Sequence, residues 1–272
     1  MKKTLTVVLV GILAVVLLGY GITSLTGGSN PAIDSDEELP NFKPSTGIST
    51  TVSQVVQTTT EIFENIKIED YDYAYAGFAP VYANVELSDW KMLLVNRDYI
   101  LPDDYEVELA PCITDDPDSL KLDYRVAPHY NEMYLAALED GIELTPVSGY
   151  RSVERQTRNF ENKIQKYVDE GYGKTEATQM AATIILPPGT SEHNAGLAMD
   201  ICSLYQDFEE SEEFRWLNEN AADYGFILRY PEDKQDITKI IYEPWHWRYV
   251  GIEAAQAMKA SGQCLEEYLG VA

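Results

Sequence analysis

The sequence predicts an α+β domain in which helices flank a mainly antiparallel sheet. From about residue 85 onward, short extended segments alternate irregularly with amphipathic helical segments. The repeated strand–helix units of a parallel sheet do not occur there. Before residue 85, an apolar stretch and then a polar segment precede the domain. We therefore divide the chain into residues 1–25, 26–84 and 85–272.

Residues 1–25 are predicted to direct the chain to a membrane. Lys2 and Lys3 precede an apolar stretch, and no charged residue follows until Asp34. The stretch is long enough to cross a bilayer. Because no A-x-A cleavage site follows, we favour an uncleaved signal anchor, with a cleaved signal peptide as the alternative. In both cases the lysines stay in the cytoplasm and the domain is extracellular.

Residues 26–84 are predicted to form an extracellular linker. Residues 27–51 are rich in Gly, Ser, Thr, Pro and acidic residues, a composition typical of a flexible tether. Apolar residues then recur at helical spacing, which predicts an amphipathic helix packed on the main domain or, as the alternative, used for self-association. These residues are Val52, Val55, Val56, Ile62, Phe63 and Ile66.

The first half of the domain is predicted to contain two extended segments and one helix. The apolar "WKMLLVN" at 90–96 indicates a strand, and the acidic, proline-containing "LPDDYEVE" at 101–108 indicates a loop. Pro128 to Glu139 shows helical spacing, with Gly141 as its C-terminal cap. "IELTPVSGY" at 142–150 is predicted to be extended.

A pair of helices is predicted next. Ser152 caps a helix over Val153–Tyr167, and Thr175 precedes a second helix that Pro187–Gly189 ends. We expect this pair to lie away from the motifs discussed below.

The last part of the domain is predicted to alternate between strands and helices. "GLAMDICSL" at 196–204 indicates a strand, and Ser211 to Tyr224 a helix that ends at Gly225. "ITKIIYEPWHWRYV" at 237–250 is predicted to be extended, and a short helix begins near Ile252.

The composition argues against two classes of partner. With 45 acidic and 20 basic residues the formal net charge is −25, which argues against nucleic acid and against adhesion to an anionic surface.

Cys112, Cys202 and Cys264 lack the spacing of a metal site. The sequence leaves a Cys112–Cys264 disulfide open, and it predicts that Cys202 is a small core residue.

A carboxylate interrupts the predicted strand at 196–201. Strand alternation places three bulky apolar side chains on one face and Asp200 on the other. Burying an unpaired carboxylate is costly, and a cation is its simplest partner. His193 lies in the loop just before, where Gly196 lets the chain turn back toward Asp200.

The segment "YEPWHWRYVG" supplies His246 and, three residues earlier, Glu243. Two imidazoles and one carboxylate form a three-ligand zinc site with a fourth position open for water, as in catalytic zinc sites. Glu243 is the candidate to take a proton from that water. We predict a bulge or strand end at Pro244, because strict alternation would separate Glu243 from His246. His129 is interpreted as a structural or surface residue.

Three segments resemble the motifs of the D-alanyl-D-alanine carboxypeptidase family of VanY type: "SGYRSVERQ", "PPGTSEHNAGLAMDI" and "YGFILRYPEDKQDITKIIYEPWHWRYVG". The pattern S-x-H-x-x-G-x-A-x-D is matched in full from Ser191 to Asp200, and E-P-W-H from Glu243 to His246. The resemblance covers roughly Trp90 to Val250 and implies the compact Hedgehog/D-Ala-D-Ala peptidase-like fold. Lys239 departs from the family pattern, which has a small residue there, often Gly.

The resemblance implies a zinc-dependent D,D-carboxypeptidase that removes the C-terminal D-alanine from peptidoglycan stem peptides. Arg151 would hydrogen-bond the substrate or the developing oxyanion. The residues carried over by position are the Zn²⁺ ligands His193, Asp200 and His246, the general base Glu243, and the substrate contacts Arg151, Ser191 and Gln156.

Two alternative functions remain at this point. Relatives act as L,D-carboxypeptidases on tetrapeptide stems, and a related fold could keep zinc as a non-catalytic wall-binding module. The presence of both Glu243 and Arg151 argues against the second alternative. The expected partners are stem peptides ending in D-Ala-D-Ala and, through residues 1–25, the cell membrane. The sequence does not indicate an oligomeric state.

Overall fold

The computed structural model describes Tyr73 and residues 77–114 and 120–272. The predicted anchor at 1–25 and the predicted helix within 52–66 lie outside the described residues. These two predictions, and the three-part division of the chain, therefore stay predictions. Within the described ranges, no helix is both long enough and apolar enough to span a membrane.

A four-stranded sheet with strand order β5-β6-β8-β7 lies at the centre of the fold. All three neighbouring pairs are antiparallel, which confirms the predicted α+β class and sheet type. Met199 and Ile201 on β6 are fully buried in the main hydrophobic core, as the strand alternation predicts. The strands are β5 (Pro146–Ser148), β6 (Ala198–Ile201), β7 (Phe226–Leu228) and β8 (His246–Tyr249).

Two smaller sheets, seven α-helices and several short 3-10 helices complete the described part of the chain. The parallel pair is β1 (Val81–Tyr82) with β2 (Tyr99–Ile100), and the antiparallel pair is β3 (Leu109–Pro111) with β4 (Lys121–Asp123). The helices are α1 (Ala127–Glu139), α2 (Val153–Asp169), α3 (Lys174–Ala181), α4 (Glu212–Asn220), α5 (Gln235–Thr238), α6 (Ile252–Ser261) and α7 (Leu265–Leu269).

The helices bury apolar surface in separate clusters around the sheet. α1 places Tyr130, Met133 and Ala137 in the main core beneath the sheet. α2 and α3 pack on each other through a second cluster that includes Phe160 and Ala177. Removing this apolar surface from water stabilises the fold by roughly 25 cal/mol for each Å² buried.

The capping residues define several helix ends as predicted. The Ser152 hydroxyl accepts a hydrogen bond from the Arg155 amide at 3.2 Å, so α2 begins at Val153. Gly141 follows α1 at a φ of 81°. Ser211 caps α4, and a short 3-10 helix, Ala221–Tyr224, then leads to Gly225 at a φ of 88°.

The segment predicted as a strand at 90–96 forms a 3-10 turn instead, Trp90–Met92. The Asp89 carboxylate caps the turn by accepting from the Lys91 amide. The Arg248 guanidinium donates to the carbonyls of Lys91 and Leu93, both at 2.8 Å. Because a buried side chain satisfies these carbonyls, the segment has no need of a neighbouring strand.

Three other predictions also need correction. The stretch 237–250 is extended only from His246, because its start completes the helical turn α5. The predicted helix pair does contact the motifs: the Ile241 amide donates to the Thr183 carbonyl at 3.0 Å, two residues from Glu243. The second helix, α3, begins at Lys174 rather than after Thr175, and it ends at Ala181, before the Pro-Pro-Gly segment.

All three cysteines are free, so the pairing of Cys112 with Cys264 does not form. Cys112 and Cys264 are both buried, and Cys112 belongs to the main core. Cys202 is half-buried against the main core, and its φ of 63° ends strand β6.

Lys239 adopts a left-handed conformation with a φ of 62°, which explains why a glycine suits this position. We expect Lys239→Gly to raise the free energy of unfolding by about 0.5–1 kcal/mol, the relief of left-handed strain minus the added entropy of the unfolded chain. Urea denaturation measures this change. Lys239→Ala is the matched control, since it keeps the Cβ atom and should bring no gain. Equal stabilisation by both substitutions would contradict the explanation.

Candidate metal centre

The register of the central sheet places two of the predicted ligands side by side. Asp200 on β6 lies directly opposite His246 on β8, so both side chains project from the same face of the sheet. On the other side of β6, Ser148 of β5 also faces Asp200. Asp200 therefore lies between two polar neighbours on this face of the sheet.

His193 reaches the same face from a short 3-10 helix, Glu192–Ala195. The Ser191 hydroxyl caps this helix, and Gly196 ends it at a φ of 67°. A Cβ atom at Gly196 would lie 2.8 Å from the Asp123 amide nitrogen. Only glycine combines that left-handed turn with so close an approach of two backbones, which accounts for the glycine in the motif.

Three donor atoms converge at the centre. His193 Nε2 lies 3.3 Å from Asp200 Oδ2, and His246 Nδ1 lies 3.3 Å from Asp200 Oδ1. Within the described ranges, these three residues form the one His/Cys/Asp/Glu group able to hold a metal ion, with ligand atoms within 4.8 Å of one another. Each residue is at most 4% exposed.

The second nitrogen of each imidazole is engaged on the outer side. His193 Nδ1 lies 2.8 Å from the Gly149 carbonyl, which can only accept, so Nδ1 carries the proton and Nε2 faces Asp200 as a lone pair. His246 Nε2 lies 3.2 Å from the Glu192 carboxylate and donates to it in the same way. This outer arrangement is typical of metal-binding histidines.

The buried carboxylate also fits a cation. Asp200 Oδ1 is fully buried and, within the described part of the chain, accepts no hydrogen bond of normal geometry. Burial alone would raise the pKa of Asp200, but the two neighbouring imidazoles outweigh it and hold that pKa well below its usual range. Two imidazoles and one carboxylate form the donor set of a catalytic zinc site.

Without a metal ion, a proton takes the inner position on one ring. Burial lowers the pKa of His246, but the adjacent carboxylates of Asp200 and Glu192 outweigh that effect and raise the pKa to about 9. His246 then carries protons on both nitrogens, and the inner one faces Asp200. Burial lowers the pKa of His193, which keeps its inner nitrogen unprotonated.

Glu243 lies at the edge of the same group. Its Oε2 is 3.5 Å from His246 Nδ1, and its carbonyl accepts from the His246 amide at 3.2 Å across a turn at Pro244 and Trp245. Strand β8 begins only at His246, which confirms the predicted strand end and brings both side chains to one side. Burial raises the pKa of Glu243 to about 8.

Arg151 borders the centre from the opposite side. Its guanidinium donates to Gln156 Oε1 at 2.9 Å and to Ser148 Oγ at 3.1 Å, and it lies 3.7 Å from Asp200 Oδ2. Gln156 in turn donates to the Leu186 carbonyl, so it holds the arginine in place. Ser191 is buried beside His193, with its hydroxyl turned to the His193 amide.

The structure thus brings all seven predicted site residues into one region, and it leaves His129 outside. His129 stacks on Tyr249 and its side chain is about one third exposed. The sequence motifs did not predict the buried charged groups behind the centre or the aromatic ring that packs against His246. These residues are Glu192, Arg229, Arg248, Glu266 and Tyr230. The two arginines interrupt apolar segments, which is the same pattern that singled out Asp200.

Comparison with known proteins agrees with this centre. The family profile described as "VanY: D-alanyl-D-alanine carboxypeptidase" matches residues 119–252, which contain all three candidate ligands. The bifunctional D-Ala-D-Ala dipeptidase and D-Ala-D-Ala carboxypeptidase VanXYC of Enterococcus gallinarum is 36% identical over 190 residues, which are 64% of this chain and 91% of that protein. The chain belongs to the VanY family of D-alanyl-D-alanine carboxypeptidases.

A second relative within the VanY family matches over a smaller share of its own length. The D-alanyl-D-alanine carboxypeptidase of Enterococcus faecalis is 42% identical over 181 residues, which are 66% of this chain and 66% of that protein. The chain therefore spans just under two thirds of that relative.

Three solved structures resemble the fold. A mutant of the vancomycin resistance D,D-pentapeptidase VanY with Zn(II) is 42% identical, with a TM-score of 0.58, over 66% of this chain and 99% of that one. The structure of VanYB in complex with D-alanine-D-alanine is 42% identical, with a TM-score of 0.59, over 66% of this chain and 98% of that one. The structure of the LD-carboxypeptidase LdcB is 33% identical, with a TM-score of 0.57, over 71% of this chain and 97% of that one.

Metal binding at this centre should release protons. At pH 7, below the pKa of about 9 for His246 and about 8 for Glu243, both groups are protonated in the metal-free protein. His246 must lose its inner proton to bind a metal, and the charge of the ion would lower the pKa of the neighbouring Glu243, so we expect about one to two protons released for each Zn²⁺ bound. The number should fall toward zero as the pH rises above about 10.

Calorimetric titration of the metal-free protein with Zn²⁺, in two buffers of different ionisation enthalpy, counts these protons. An apparent enthalpy that is the same in both buffers at pH 7 would contradict the proposed protonation of His246.

Proposed function

We propose that this protein is a zinc-dependent D,D-carboxypeptidase that removes the C-terminal D-alanine from peptidoglycan stem peptides. The observation that supports it best is the convergence of His193, Asp200 and His246, with one nitrogen of each imidazole facing Asp200 beside a buried glutamate. Membership of the VanY family supports the reaction class, and the resemblance to a Zn(II) complex supports the choice of metal.

Glu243 is proposed as the general acid and base. Burial raises the pKa of Glu243 to about 8 in the metal-free protein, and a bound zinc ion would lower that pKa toward neutrality, where a group can take a proton and then return it. A bound zinc ion would acidify an attacking water and polarise the scissile carbonyl. Glu243, on the edge of the ligand group, removes the proton of that water. It then delivers the proton to the nitrogen of the departing D-amino acid.

Arg151 is proposed to bind the substrate at the oxygen on which negative charge develops. Its guanidinium lies 3.7 Å from Asp200 Oδ2, and Gln156 and Ser148 fix its orientation. A guanidinium held before the substrate arrives stabilises developing charge without reorganisation. Gln156 therefore contributes by holding Arg151. Ser191, next to the ligand His193, is proposed as a further substrate contact.

L,D-carboxypeptidase activity is the second candidate, because the fold also resembles LdcB at 33% identity. Defined stem peptides separate the two activities. The protein would be incubated with a pentapeptide ending in D-Ala-D-Ala and with the corresponding tetrapeptide, and the products weighed by mass spectrometry. The D,D assignment predicts loss of one alanine from the pentapeptide alone. Loss of alanine only from the tetrapeptide would replace it with the L,D assignment, and zinc binding without any product would indicate a non-catalytic wall-binding module.

We also propose that residues 1–25 anchor the protein in the cell membrane with the catalytic domain outside. The Lys2–Lys3 pair and the following charge-free stretch support this topology. A linker of the composition seen at 27–51 would let the domain reach stem peptides near the membrane. N-terminal sequencing of the mature protein tests the proposal, since a chain beginning after residue 25 would indicate a secreted form.

Replacing the proposed base should separate metal binding from turnover. Glu243→Gln keeps the size of the side chain but cannot accept the proton. We expect kcat on the pentapeptide to fall by about 10²- to 10⁴-fold while the zinc content stays at one per chain. Glu253→Gln, on the exposed surface of α6, is the matched control. Retention of the original rate by Glu243→Gln would show that another group accepts the proton.

A further inference from the structure

A buried network of four charged side chains lies behind the candidate metal centre. It contains two carboxylates and two guanidinium groups, so its formal charges balance. All four are at most 4% exposed. The members are Glu192, Arg229, Arg248 and Glu266.

The two oxygens of Glu192 have different partners. Oε1 accepts from Arg229 Nε at 2.8 Å and from Arg248 Nη1 at 2.9 Å. Oε2 lies 3.2 Å from His246 Nε2. A purely structural carboxylate, present only to neutralise the arginines, would need no more than the first oxygen. The second oxygen is directed at a candidate metal ligand.

The network also holds the carboxylate and the imidazole in a fixed relation. The backbone amide of Arg229 donates a hydrogen bond to the His246 carbonyl at 3.1 Å, and its side chain donates one to the Glu192 carboxylate. Glu192 lies next to His193 in the same 3-10 helix. One short helix therefore supplies one ligand directly and supports the ring of the other.

We propose that Glu192 is a positioning residue for the metal centre. Its Oε2 accepts the Nε2 proton of His246, which keeps Nδ1 turned toward Asp200 and makes that nitrogen a stronger donor to a metal ion. This inference rests on the proposed zinc site, but it concerns an acidic residue that touches neither the metal nor the substrate.

The test compares two substitutions of the same kind in the same network. Glu192→Gln removes the carboxylate that contacts His246. Glu266→Gln removes the carboxylate one step further out, which binds Arg229 at 2.6 and 2.9 Å and does not contact His246. Both remove one buried negative charge. Zn²⁺ affinity is measured by competition with a chromophoric chelator, the Co²⁺-substituted protein by its visible absorption, and stability by urea unfolding.

We expect Glu192→Gln to weaken Zn²⁺ binding by about 10- to 100-fold and to change the Co²⁺ spectrum. Glu266→Gln should lower the unfolding midpoint but leave the Zn²⁺ affinity within about threefold of the original. Glu192→Asp, which keeps the charge on a shorter side chain, should recover part of the affinity. Glu192→Ala is not used, because it would also remove the side-chain oxygen that accepts hydrogen bonds from the two buried arginines, which Glu192→Gln retains as an amide oxygen.

Three results would overturn the inference. Unchanged Zn²⁺ affinity in Glu192→Gln would show that His246 needs no such support. Equal losses in the Glu192 and Glu266 variants would reduce Glu192 to a structural role. Failure of the unsubstituted protein to bind Zn²⁺ would overturn the proposed function together with the inference, whereas zinc binding that Glu192→Gln leaves intact overturns the inference alone.

Discussion

The orientation of two imidazole rings is the constraint on which this site depends. Each ring donates an outer N–H to a fixed acceptor, the Gly149 carbonyl for His193 and the Glu192 carboxylate for His246. Each inner nitrogen then faces Asp200 at 3.3 Å. Two lone pairs and a carboxylate cannot share a dry interior without a cation between them, so a metal ion or a proton must occupy the centre.

The fold supplies this orientation through a few short elements. The β6–β8 register sets Asp200 opposite His246, and a 3-10 helix ending at Gly196 carries His193 to the same face. The residues around the centre are nearly all buried. The residues proposed for catalysis lie at the edge of the three ligands. Glu243 is next to His246, and Arg151 is next to Asp200.

Much of the metal centre could be predicted from the sequence, because its motifs and its strand alternation depend on residues that are close together along the chain. A charged residue inside an apolar strand identified Asp200, and a proline before His246 identified the strand end beside Glu243. The turn at Trp90–Met92 could not be predicted, because the hydrogen bonds that replace strand pairing come from Arg248, far along the chain. Glu192 was missed for a similar reason, since its partners Arg229 and Arg248 become neighbours only after folding.

The most direct test of the central claim is a crystal structure of the zinc-loaded protein with anomalous scattering measured at the zinc edge. We predict one zinc ion bound by His193 Nε2, His246 Nδ1 and an Asp200 oxygen, at about 2.0–2.2 Å, with no fourth protein ligand. A zinc ion bound through His246 Nε2, closed off by a fourth side chain, or located away from these three residues would contradict it.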